Sequence, residues 1–290
     1  MNHIFSTVKN ERGAMEFLGY FLKLLLYTLG PILSFGLALS LCDWLFCRLV
    51  GDRSGEKLLV GAHLLPTPLR EFGHLTAAVL SFHRVGDFCL LTLHDPEGEL
   101  GFVEHSYNPR NPVAILGNFF FAVFPAAMVL FAVFVVTRCL FAGCFEPFLT
   151  SVSELEATGA GPLAFLRAVL AFPREVFSAA HTGIPAKIIG CVLLLFLSLG
   201  AYVSLSDLRQ SVGGLFLFVL LVFLFSAVTA IFDDRLRNLI CESLHTFALS
   251  VTALYLIIFL FAGVLLALAA LFFLIRGLFS LDRPGGRFDQ

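Results

Sequence analysis

The chain has 290 residues, of which 58% are hydrophobic and only 14% are charged, and its formal net charge is −2. Its mean hydropathy of +0.91 lies far above the range of soluble globular domains. This composition predicts an integral membrane protein whose first partner is the lipid bilayer. It argues against nucleic acid as a partner, because a near-neutral chain has no long basic surface to neutralise phosphates.

Hydrophobic runs of about 20 residues predict transmembrane helices. By this criterion residues 1–290 form a single integral membrane domain with about six spans, which we place at residues 17–46, 58–85, 112–137, 188–205, 212–232 and 247–275. The second span is the least apolar of the six. Because ionisable groups are costly at membrane depth, we expect this helix to face protein or water rather than lipid.

Two polar regions interrupt the spans. Residues 84–111 are predicted to form an extramembrane insertion, in which apolar runs at 88–94 and 100–103 flank turn residues at 95–98. This pattern indicates a small β-hairpin on the membrane surface. Residues 138–187 are predicted to be an interfacial amphipathic segment with a short helix at 163–171. The expected fold is therefore an all-α polytopic membrane protein with a small surface β-hairpin between the second and third spans.

The second span carries the stretch from Leu65 to His74, which reads Leu-Pro-Thr-Pro-Leu-Arg-Glu-Phe-Gly-His. We expect a helix that begins near Pro68. A zinc metallopeptidase helix reads His-Glu-x-x-His, since two histidines four residues apart share one face and the glutamate activates a metal-bound water. Here Arg70 occupies the position of the first histidine, followed by Glu71 and His74.

Three further stretches accompany this motif: Gly101-Phe-Val-Glu-His-Ser-Tyr-Asn-Pro109, Ile115-Leu-Gly-Asn-Phe-Phe120 and Ser204-Leu-Ser-Asp-Leu-Arg209. Together the four stretches resemble a group of bacterial multi-pass membrane proteins similar to site-2-protease-type zinc metallopeptidases. The resemblance covers roughly residues 60–232. It implies a location in the bacterial cytoplasmic (inner) membrane.

In those relatives the first motif typically reads Thr-Pro-x-His-Glu-x-x-His, so Arg70 replaces a metal ligand. Arginine is always protonated and has no lone pair to donate, and its charge opposes Zn²⁺. A second departure lies near Tyr202, where the relatives carry a histidine. We therefore expect a catalytically degenerate scaffold without a cofactor, which acts as a partner-binding or structural subunit of a membrane assembly.

Other interpretations stay open at this stage. Glu71 and His74 are polar residues of a helix bundle, with Arg70 paired to a carboxylate elsewhere. Alternatively, the chain is an active zinc enzyme in which Glu71 is the general base and His74 is a ligand. In that case His105, His63 or His83 substitutes for the lost ligand, with His105 the first candidate.

A channel or transporter subunit is a third class, suggested by intramembrane charge and by prolines within the spans at Pro31 and Pro125.

The remaining motif residues are assigned structural roles. Tyr107, Asn108 and Pro109 are expected to shape the turn into the third span, and Asp207 belongs to the Ser-Leu-Ser-Asp turn. A second Glu-x-x-His at 242–245 is interpreted as coincidence, because a di-iron bundle also needs a glutamate from each of two other helices. The seven cysteines, with no Cys-x-x-Cys pair, are expected to be free thiols.

Overall fold

The computed structural model describes residues 2–51, 55–93, 100–141, 143–179, 183–232 and 234–281, with side chains described between residues 13 and 276 of these ranges. In this part of the chain the elements are α1 Asn2–Val50, α2 Glu56–His63, α3 Pro66–Leu80, β1 Arg84–Cys89, β2 Phe102–Ser106, α4 Pro112–Leu140, α5 Phe145–Ala157, α6 Pro162–Ser178, α7 Ile184–Leu197, α8 Leu205–Gln210, α9 Val212–Thr229 and α10 Asp234–Leu281.

Four of the described helices are long and apolar enough to cross a membrane, at Gly13–Val50, Pro112–Leu140, Val212–Thr229 and Asp234–Arg276. The expected class of helical membrane protein is confirmed at this level, whereas the count of six spans is not. The second expected span is divided at residues 64–65 into α2 and the 15-residue α3. The fourth corresponds to α7, an apolar helix of only 14 residues.

A small antiparallel sheet of β1 and β2 lies between α3 and α4, as expected for the insertion. Its strands lie further from the turn than the sequence suggested, since β1 pairs Arg84 with Ser106 and Cys89 with Phe102. The register shifts between Val85 and Phe88, which marks an irregularity in the ladder. The turn expected at residues 95–98 lies outside the described residues.

The helix α4 is the centre of the packing, with α3, α7 and α9 against it, while α1 packs along α10. The crossing of α3 and α4 is very close at Gly73, where a Cβ atom would lie 2.7 Å from Pro125 Cα. A glycine on one helix allows this approach because no side chain separates the two backbones. Both α1 and α4 continue as helix through their internal prolines, Pro31 and Pro125.

Residues 198–204, between α7 and α8, form a segment without helix or strand that is nevertheless almost entirely buried. It packs against the start of α3, since a Cβ on Gly200 would lie 2.2 Å from Pro66 Cβ. Backbone groups in such a segment need partners from elsewhere in the molecule, because neither water nor a regular ladder is there to satisfy them. All seven cysteines are free thiols, as predicted.

Candidate functional site

Arg70 is directed from α3 into the buried segment at 198–204. Its Nη1 donates hydrogen bonds to the carbonyl oxygens of Gly200, at 2.9 Å, and of Tyr202, at 2.8 Å. Its Cζ also lies 3.7 Å from the centroid of the Tyr202 ring, which is cation–π geometry. Arg70 is 9% exposed, so these contacts form out of water. These two hydrogen bonds are made to backbone carbonyls, whereas one interpretation of the sequence had Arg70 paired with a carboxylate.

Other backbone groups of the segment at 198–204 also form hydrogen bonds with neighbouring helices. The Tyr255 hydroxyl of α10 donates to the Ala201 carbonyl at 3.1 Å, and the Val203 amide donates to the Gly36 carbonyl of α1 at 3.2 Å. Three consecutive carbonyls, at 200, 201 and 202, are thus held by side chains from two helices. Arg70 supplies two of these three bonds and links α3 to the segment.

His74 lies one helical turn after Arg70 on the same face of α3 and is 8% exposed. Its Nε2 is 3.9 Å from Asp207 Oδ2 of α8, which is too far for a hydrogen bond. Its Nδ1 is buried without a hydrogen-bond partner among the described residues. The predicted motif residues His74 and Asp207 therefore meet, although 133 positions separate them in the sequence.

His105 is brought near His74, with an aromatic ring against both. The Phe121 ring of α4 has its centroid 4.2 Å from that of His74 and 3.9 Å from that of His105. The two imidazoles are thus packed on a shared apolar side chain.

Burial lowers the pKa of the His105 imidazole, and the nearby His83 lowers it further, although a hydrogen bond with Asn118 opposes the shift. The rings of His83 and His105 are stacked, with centroids 5.1 Å apart and an angle of 7° between planes. His83 Nε2 is 2.8 Å from the Ala114 carbonyl, which can only accept, so this nitrogen donates. Its Nε2 is therefore already used by the backbone of α4.

Glu71 is directed to the end of the sheet nearest the turn, beside Gly101. A Cβ on Gly101 would lie 2.9 Å from Glu71 Cγ. The glutamate is thus packed beside the sheet, and its side chain is partly exposed.

Tyr107, Asn108 and Pro109 form the exposed turn after β2. The Tyr107 ring stacks on His83 with centroids 5.3 Å apart. Asn108 Oδ1 accepts a hydrogen bond from the Arg110 amide at 3.0 Å, a local turn contact. These contacts are those of residues that shape the chain into α4.

The residues around Arg70 do not fit a zinc site. Arg70 has no lone pair and already donates to two carbonyls. His74 and Asp207 are suitable ligand types, but a zinc site needs at least three protein ligands. Among the described residues, three or more metal-binding side chains converge at one place, Asp43, Cys47 and His63, and neither His74 nor Asp207 belongs to that group.

The second Glu-x-x-His motif, at residues 242–245, makes contacts of its own elsewhere in the structure. His245 Nε2 of α10 is 3.0 Å from Glu156 Oε2 of α5, and its ring packs on Tyr27 with centroids 5.1 Å apart. The pair is partly exposed, and it joins two helices near the surface.

Sequence reasoning did not identify the partners of Arg70, apart from a weak signal at Tyr202. The partners could have been sought by a physical argument. An arginine within an apolar region must find hydrogen-bond acceptors, and an irregular stretch such as residues 198–204 supplies unpaired carbonyls. Nothing in the local sequence distinguishes Tyr255, which holds the carbonyl between the two that Arg70 holds.

Comparison with known proteins gives no match: no protein-family model matches the chain, and no curated protein or solved structure is significantly similar to it.

Proposed function

We propose that this chain is a metallopeptidase-like membrane protein that has lost catalysis and acts as a partner-binding or structural subunit of a membrane assembly. One observation carries the proposal: the Arg70 guanidinium donates to the Gly200 and Tyr202 carbonyls and stacks on the Tyr202 ring. The positions where the resembling peptidases carry histidines are Arg70 and the neighbourhood of Tyr202. On this proposal, Arg70 and Tyr202 replace former ligands, and the two residues are in contact with each other.

The contact between Arg70 and Tyr202 suggests what an arginine does at the position of a metal ligand. In a metallopeptidase the metal would join the motif helix to ligands elsewhere in the chain, and such a metal contributes to holding the fold. Arg70 joins α3 to the segment at 198–204 through two charge-assisted hydrogen bonds and one cation–π contact. On this proposal the positive charge of Arg70 has replaced that of a bound metal ion, and the fold is kept without a hydrolytic centre.

The membrane arrangement belongs to the same proposal. A helix of 15 residues is about 22 Å long, shorter than the hydrocarbon core of about 30 Å. We propose that α3 and α7 enter the bilayer as such short helices beside α4, against which both pack, to complete six membrane segments. The membrane would be the bacterial cytoplasmic membrane, and the partners would be membrane proteins of the same assembly.

Zinc content of the purified full-length chain tests the loss of the peptidase metal. We expect His74→Ala to leave the zinc content unchanged, because among the described residues His74 belongs to no group of three metal-binding side chains. About one equivalent of zinc that disappears in His74→Ala would contradict the proposal. It would favour the active enzyme, with Glu71 as general base.

Restoring the ligand types provides a sharper test. We expect Arg70→His combined with Tyr202→His to create a zinc site of about one equivalent, measured by metal analysis after dialysis, which is lost again when His74→Ala is added. The single variant Arg70→His is the matched control and should bind markedly more weakly, since it lacks one ligand. If the folded double variant binds no more zinc than the wild type, these two positions are not former ligand positions.

The non-catalytic role is tested by separating Glu71 from Arg70. We expect Glu71→Gln to leave the native-gel mobility of the assembly, extracted from membranes in mild detergent, unchanged. Arg70→Ala should release the subunit, because it loosens the scaffold. Loss of a proteolytic product in Glu71→Gln would instead reveal an active peptidase.

A further inference from the structure

Three side chains with metal-ligating atoms converge where α1 meets α2. Asp43 and Cys47 are four residues apart and so lie on one face of α1, and His63 is the last residue of α2. An Asp43 carboxylate oxygen, Cys47 Sγ and a His63 ring nitrogen all lie within 4.8 Å of one another. Within this group, Asp43 Oδ1 and His63 Nε2 are 2.8 Å apart.

The hydrogen bonds of His63 restrict what can occupy the space between it and Asp43. His63 Nδ1 is 3.0 Å from the Leu59 carbonyl oxygen, which can only accept, so Nδ1 carries a hydrogen. In a neutral imidazole Nε2 then presents a lone pair to the carboxylate. Two acceptors at 2.8 Å repel each other unless a second proton lies between them, or unless they move slightly apart and bind one metal ion.

The arrangement of the imidazole is that of a metal ligand. A ligating histidine typically donates its other ring N–H to a backbone carbonyl or a carboxylate, which fixes the ring and its tautomer. The bond from His63 Nδ1 to Leu59 provides this orientation. The side chains of His63 and Asp43 are each 15% exposed, so an ion can reach them while most of the site stays dry.

The donor set selects the kind of metal. A thiolate and an imidazole with one carboxylate suit Zn²⁺, whereas Ca²⁺ and Mg²⁺ prefer oxygen ligands alone. The charges also balance, since the Asp43 carboxylate and a Cys47 thiolate neutralise a divalent ion. This balance makes the ion compatible with the Arg70 cation, which lies within electrostatic range of His63.

We propose that Asp43, Cys47 and His63 bind a Zn²⁺ ion that joins α1 to α2, with the fourth coordination position open to water or another ligand. The site is separate from His74 and does not depend on the proposed function. Zinc ligand atoms lie about 2.0–2.3 Å from the metal, so small rotations of the three side chains would bring them to bonding distance.

Cobalt binding to the full-length chain in detergent, stripped of metal with a chelator and kept under reducing conditions, tests this site. We expect Co²⁺ to bind at about one equivalent with a thiolate-to-cobalt charge-transfer absorption in the near ultraviolet, and Zn²⁺ to displace it. Cys47→Ser should abolish that absorption. Asp43→Asn and His63→Gln should each weaken binding by more than about tenfold, since even changes around a ligand cost that much.

Cys42→Ser is the matched control, because Cys42 is a partly buried thiol of the same helix that lies outside the group of three. It should keep the absorption, and so should His74→Ala. If Cys47→Ser fails to give a folded, monodisperse protein, Asp43→Asn and His63→Gln decide the same question.

The proposal is overturned if the wild type shows no thiolate absorption, or if the absorption survives in folded Cys47→Ser. A metal lost in His74→Ala and kept in Cys47→Ser would overturn both the proposed function and the proposal that Asp43, Cys47 and His63 bind the metal. A metal lost only in Cys47→Ser leaves the proposed function standing.

Discussion

Replacing Arg70 with alanine is expected to lower the free energy of unfolding by about 3–5 kcal/mol, since each buried carbonyl left without a donor costs about 1–3 kcal/mol. The loss has two parts. The Gly200 and Tyr202 carbonyls are left buried without a donor, and the contact with the Tyr202 ring disappears. Thermal unfolding in detergent should show an apparent Tm lower by roughly 10 °C.

Arg48→Ala is the control for this experiment. Arg48 also lies over an aromatic ring, with its Cζ 5.2 Å from the Trp44 centroid, but both side chains are exposed. Its loss should cost no more than about 1 kcal/mol. Arg70→Lys should fall between the two, since lysine keeps the charge but cannot reproduce a planar guanidinium stacked on tyrosine. Equal losses in Arg70→Ala and Arg48→Ala would show that Arg70 does not hold the segment at 198–204.

The second large effect is expected at Gly73, between Arg70 and His74. An alanine Cβ would lie 2.7 Å from Pro125 Cα, 2.8 Å from Pro125 N and 2.9 Å from the Phe124 carbonyl carbon. These are backbone atoms of α4, which cannot rotate away, so α3 would have to move. We expect Gly73→Ala to cost about 1–3 kcal/mol, measured by denaturant unfolding in detergent, and to weaken the contacts of Arg70 at the same time.

Gly61→Ala provides a control of opposite sign. Gly61 lies within α2, and a Cβ added there meets nothing within 4 Å. Alanine is preferred to glycine inside a helix by roughly 0.5–1 kcal/mol, so this variant should be slightly more stable than the wild type. If both glycine variants shift stability in the same direction, the close crossing of α3 and α4 is not the constraint.

The sequence by itself determined the class of the protein and its local elements. Apolar composition predicted a membrane protein, and four described helices are long and apolar enough to cross a membrane. Proline at a first helical turn marked the start of α3, although the helix begins at Pro66 rather than near Pro68. The alternation of apolar runs and turn residues correctly placed a two-stranded sheet between α3 and α4.

The number of spans could not be obtained in this way. A hydropathy pattern records how apolar a stretch is, but it does not record where a helix stops. The stretch at 58–85 is apolar enough to resemble one span, yet it contains the break between α2 and α3 and continues into the strand that begins at Arg84. Whether a short helix is shielded by its neighbours depends on packing, which local composition does not encode.

Only the tertiary structure decided what Arg70 contacts. The sequence indicated a charge that needs partners, whereas the carbonyls that satisfy it lie 130 and 132 positions further along the chain. The same is true of His63, which meets Asp43 across the junction of two helices. Residue types set which groups must be paired, because burying them unpaired is costly. The packing of helices distant in sequence decides which groups pair, because it alone brings their atoms within hydrogen-bonding or coordination distance.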